Sequence, residues 1–128
     1  METDPAQARA LREMARQVRE RLDETLQEQY PSQRLLDQYH ALRMLMEALA
    51  AEQGEDFRGD GAHARLIDWA TEEVELSRAD QEFLQSLRQY RNRVQYEGFQ
   101  VDTDWLSRNR DRIERLFHEL DPADHAPL

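Results

Sequence analysis

The stretch SQRLLDQYHALRMLMEALAAEQG, residues 32–54, repeats apolar side chains every three or four positions through Leu35, Leu36, Tyr39, Leu42, Leu45, Met46 and Leu49. That interval gathers side chains on one side of an α-helix. The apolar stripe is wide, so this helix is expected to touch more than one neighbour. Ser32, just after Pro31, is placed to cap its start, and Gly54 to end it in the left-handed conformation. A helix of this kind needs other helices to cover it, and the flanking sequence supplies them.

Upstream, Asp4-Pro5 reads as an N-cap followed by proline in the first turn, where a missing N–H costs nothing. Leu11, Ala15, Val18, Leu22 and Leu26 then draw one apolar stripe, which predicts a helix ending near Gln29, before Pro31 breaks the chain. Downstream, GEDFRGDG at 54–61 holds three of the four glycines and reads as the long loop. Leu66, Ile67, Trp69, Ala70 and Val74 predict a third helix from Ala62 to about Leu76. Ser77 with Asp80 resembles a capping box that opens a fourth helix, which carries Phe83, Leu84, Leu87, Tyr90 and Val94 and stops at Gly98. Asp102 or Thr103 caps a fifth, bearing Trp105, Leu106, Ile113, Leu116, Phe117 and Leu120 and ended by Pro122. Only FQV at 99–101 alternates at period two, so no sheet is expected. The expectation is an all-α, up-and-down bundle of about five helices in one domain, residues 1–121, with 122–128 as a mobile tail.

With 128 residues the chain has the size of a single self-sufficient domain. Cysteine is absent, which excludes a disulfide framework, a thiolate metal site and a cysteine nucleophile. METDPAQARA lacks a basic start followed by an apolar run, and no later stretch approaches the length of a membrane span, so a cytoplasmic protein with no membrane partner is expected. Seventeen basic residues, all arginine, stand against 27 acidic ones, for a net charge of −10. That balance argues against general attraction to DNA or anionic lipid, and any nucleic-acid role needs a local basic site. The absence of lysine is read as genome or salt bias rather than function.

Glycine-rich phosphate loops, paired metal-ligand histidines and a serine nucleophile elbow are all missing. His40, His63, His118 and His125 lie on four separate segments, and no metal or cofactor is expected from them. Glu72, Glu73 and Glu75 form the densest acidic group, for which a solvated helix face is the plain account. LRQYRNRVQYEGF, residues 87–99, differs in placing three arginines, an asparagine and two tyrosines on a partly buried helix. Asn92 and Tyr96 share a face, and Arg91 aligns with Arg88 and Gln95. The planar fork of arginine suits phosphate, and an amide can hold a hydroxyl. Arg88, Arg91, Asn92, Gln95 and Tyr96 are therefore the candidate ligand-binding residues; a cluster that only knits an interface is the competing account.

Two places resemble the HEPN family, the higher eukaryotes and prokaryotes nucleotide-binding domains. QYHALRMLMEALAAEQG is similar to that family's second helix, and LRQYRNRVQYEGF to its fourth-helix signature of arginine, a polar residue that is often asparagine, and a histidine after a short gap. The resemblance covers roughly residues 5–120 and implies a HEPN-like bundle paired as a two-fold homodimer, with both fourth-helix motifs facing one cleft. It further implies either a metal-independent ribonuclease, often a toxin of a toxin–antitoxin pair, or a nucleotide-binding partner of a small nucleotidyltransferase. Arg91 and Asn92 match the Arg-Asn positions. Where catalytic members carry histidine, this chain has Tyr96. Imidazole titrates near neutrality and shuttles protons, whereas a phenol is a poor base there. A non-catalytic module binding a nucleotide, RNA or partner enzyme is the leading expectation. A ribonuclease using Arg91, Asn92 and Tyr96 is the second, and a purely structural dimer the third.

Overall fold

Five α-helices and no strand make up the described residues, 2–24 and 30–122, of the computed structural model. They are α1 (Pro5–Glu24), α2 (Pro31–Gln53), α3 (Ala62–Glu73), α4 (Arg78–Glu97) and α5 (Thr103–Leu120). The chain is an all-α bundle, as its periodicity predicts, and α2 is its hub, packing against all four others while α3 also packs on α4. Leu35, Tyr39, Leu42 and Met46 of α2 are fully buried with Ile67 of α3, Leu84 and Leu87 of α4, and Ile113, Leu116 and Phe117 of α5. Each such side chain contributes about 1.5–3 kcal/mol by leaving water. The narrower stripe of α1 buries Ala8, Ala15 and Leu22. Among the described residues, no helix is long and apolar enough to cross a membrane.

Helix ends follow local chemistry. The Gln7 N–H donates to Asp4 Oδ1 at 3.0 Å at the start of α1. Gly54 and Gly98 end α2 and α4 with φ of 73° and 68°, which glycine adopts without a side-chain penalty. Ser77 caps α4 by accepting from the Asp80 N–H at 3.1 Å, and Asp102 caps α5 through the Asp104 N–H at 2.9 Å.

Ser32 departs from the expected cap. Pro31 takes the first turn of α2, so Ser32 already lies inside the helix, and its hydroxyl accepts the Val101 N–H at 3.0 Å instead. The third helix also stops earlier than its apolar spacing implies. Glu75 adopts a φ of 57° and the Leu76 N–H turns back to the Thr71 carbonyl at 2.8 Å, closing the end at Glu73. The FQV segment forms no strand; Phe99 meets Tyr90 edge-on at 5.3 Å and Val101 is buried. The expected end of the first helix near Gln29 and residues 123–128 of the tail lie outside the described residues.

Packing between α4 and α5 fixes how α4 is turned. Phe83 stacks on Trp105 at 6.2 Å, Tyr90 lies 5.0 Å from the same ring, and Asp80 pairs with Arg115. With that side committed to α5, the polar flank of α4 faces α3 and the loop before it.

Candidate functional site

Arg88, Arg91, Asn92 and Tyr96 project from this flank into one open groove of about 460 Å³, closed on the other side by residues 59–61 of the loop and by Ala62, His63 and Ala64 at the start of α3. A volume of this order suits a mononucleotide or a comparable small ligand. Four of the five residues singled out by sequence thus line the same groove. Gln95 is exposed and does not line it.

The two arginines are held by neutral partners. Arg88 Nε donates to Gln85 Oε1 at 2.8 Å, and the Gln85 amide donates to the Ala64 carbonyl at 2.8 Å and to Asp68 at 3.0 Å, tying α4 to α3. Arg91 Nη1 donates to Asn92 Oδ1 at 3.0 Å. Its guanidinium lies 5.9 Å from the ring centres of both Tyr39 and Tyr96, within cation–π range. Among the described residues, neither arginine has a carboxylate within 4 Å. Tyr39 lies beneath Arg91, 1% exposed, with its hydroxyl buried and lacking a hydrogen-bond partner; burial pushes its pKa up. Tyr96, by contrast, is 72% exposed.

His63, one of the four histidines on separate segments, comes to the site from the start of α3, an approach that the sequence left open without placing it. It is half-buried and lines both the groove and a smaller cleft of about 180 Å³ shared with Glu47, Glu55 and Asp56. Burial first, then the positive charges of Arg43, Arg91 and Arg88, hold its pKa below the ordinary imidazole value. The neutral form of the ring is therefore favoured. Only the juxtaposition of α3 and α4 brings it to Arg88 and Arg91, more than twenty residues away in the chain. His40 lies on α2 against Arg43, whose Nη2 is 3.2 Å from His40 Nδ1, and it does not line the groove; neither does His118, exposed on α5. His125 falls outside the described residues.

The loop wall is built from within. Arg65 reaches back from α3 and donates to the carbonyls of Asp60 and Arg58, each at 2.7 Å. Gly59 and Gly61 take φ of 82° and 76°, and α3 begins at Gly61 with no side-chain cap and no acidic residue in its first turn. The Ala62 N–H is taken by the Gly59 carbonyl at 3.2 Å, and the N–H groups of His63 and Ala64 give this helix end its partial positive charge at the groove.

A larger open groove, about 750 Å³, runs along the other end of α3 and α4 past Asp68, Glu72, Gln81, Glu82 and Gln85. Of its carboxylates, Glu72 is solvated, Asp68 is bound by Gln81 and Gln85, and Glu82 pairs with Arg78 at 3.2 Å, and their charge disfavours an anionic ligand. Glu73 and Glu75 are exposed as well. Among the described residues, no three His, Asp or Glu side chains come together to hold a metal ion. Comparison with family models, with characterised proteins and with solved structures finds no significant match to this chain.

Proposed function

We propose that this chain is a HEPN-like, dimeric, non-catalytic binding module whose α4 groove takes a nucleotide or a segment of RNA by its phosphate. One observation carries the reading: Arg88 and Arg91, with no carboxylate within 4 Å of either among the described residues, converge with Asn92 on one open groove. Guanidinium groups left without an anionic partner in a water-reachable cleft gain most from a phosphate, which accepts from both edges of the fork. Asn92 keeps its amide N–H groups available for the ligand, because only its oxygen is used by Arg91. Tyr96 stands at the mouth, where a base can stack on its exposed ring. Dimerisation and docking to a small nucleotidyltransferase follow from the family resemblance and belong to the same proposal. The test is thermal stabilisation by nucleoside monophosphates and short RNA. It is expected in the native chain and lost in Arg91→Ala, and its absence from the native chain overturns the proposal.

Metal-independent ribonuclease action is the second reading, and the neutral imidazole of His63 beside the two arginines favours it, since it supplies the base that Tyr96 does not. Cleavage of RNA in the presence of a chelator, abolished in His63→Ala, would establish it in place of the first.

A further inference from the structure

We infer that His63 is a phosphate-contacting residue of the groove and that it takes up a proton as the phosphate enters, so that ligand affinity rises as pH falls. This rests on the reading of the groove as an anion site and names the group that regulates it.

The argument starts from what surrounds the ring. From α4 it faces Arg88 and Arg91; from α2, Arg43 and Glu47; from the loop, Glu55, Asp56 and Asp60 line the same two clefts. Arg43 is offset by Glu47, whose carboxylate lies 3.1 Å from its Nε, whereas Arg88 and Arg91 have no such partner. The ring also lies in the uncapped first turn of α3, where the helix dipole opposes a further positive charge. The His63 ring makes no hydrogen bond among the described residues, so both its nitrogens are open to a ligand. Burial first, and then the positive charges of Arg43, Arg91 and Arg88, thus favour the neutral imidazole in the empty groove. A phosphate reverses that balance: it neutralises the two guanidiniums and offers the ring an anionic acceptor, which favours the charged form.

The sign follows from linkage. In the empty groove the histidine pKa lies below its ordinary value; with phosphate bound it is higher. The additional affinity is therefore fully present below the free-state pKa and disappears as pH rises through the bound-state pKa.

A 2′-O-methyl dinucleotide tests this directly, because its single phosphodiester keeps one charge between pH 6 and 8 and lacks the hydroxyl needed for cleavage. The native chain is expected to bind it about tenfold more tightly at pH 6 than at pH 8. His63→Gln should show no such change, and His63→Arg should bind equally at both pH values and more tightly than the native chain at pH 8. Equal affinity of the native chain at the two pH values, or the same pH dependence surviving in His63→Gln, overturns the role of His63 while leaving the anion groove intact. No binding at either pH overturns the groove reading and this inference with it.

Discussion

Arg115 grips Asp80 from α5 with two hydrogen bonds, Nη1 to Oδ2 at 3.1 Å and Nη2 to Oδ1 at 2.5 Å. Asp80 is 5% exposed, and the Arg115 hydrogen bonds hold its carboxyl below the usual aspartate range. Asp80→Asn is expected to cost about 1–3 kcal/mol at pH 7 in denaturant unfolding, since a buried side chain loses charge-assisted bonds. A depressed carboxyl pKa stabilises the fold above the ordinary aspartate value, and this contribution is lost as pH falls through the folded-state value. The gap between native and Asp80→Asn stabilities should therefore narrow below about pH 4.

Tyr39→Phe should leave the fold unchanged or stabilise it by up to about 1 kcal/mol, because the native hydroxyl is buried with no partner. A loss of more than about 1 kcal/mol would mean that the hydroxyl is satisfied in solution. The same variant keeps the ring under Arg91, so ligand binding should survive it.

Ser32→Ala should destabilise by about 1 kcal/mol by leaving the Val101 N–H without its acceptor, although Ser32 caps no helix. Slower amide exchange at Val101 than at its neighbours in the native chain, lost in the variant, would report the same bond.

Tyr96→Ala should change the stability of the ligand-free chain by less than about 0.5 kcal/mol, because the side chain is 72% exposed. Its effect belongs to binding: stabilisation by a nucleotide should weaken severalfold. Equal ligand stabilisation in the variant would remove Tyr96 from the site.

Much of this was written in the chain. The i, i+3, i+4 spacing of Leu35 through Leu49 set α2 and its many contacts, and Gly54, Ser77, Gly98 and Asp102 marked helix ends because glycine and short polar side chains satisfy end groups locally. Arg88, Arg91, Asn92 and Tyr96 were legible as a group for the same reason: one helix places them. Ser32 misled because its partner, Val101, is distant in sequence and no local rule anticipates it. His63 could not be placed at the site on the same ground, since its meaning comes from arginines on a different helix. Gln95 shows the limit of face counting: seven residues after Arg88, it shares the helical side yet lies beyond the reach of the loop.

Because Arg65 braces the 58–61 segment through two backbone carbonyls, the rim of the groove is already shaped before any guest arrives. Such a rim offers direct seating rather than wrapping, so little chain freedom has to be surrendered on contact. Release of that brace, rather than any change among the phosphate-facing side chains, is then the step by which the rim could loosen its hold.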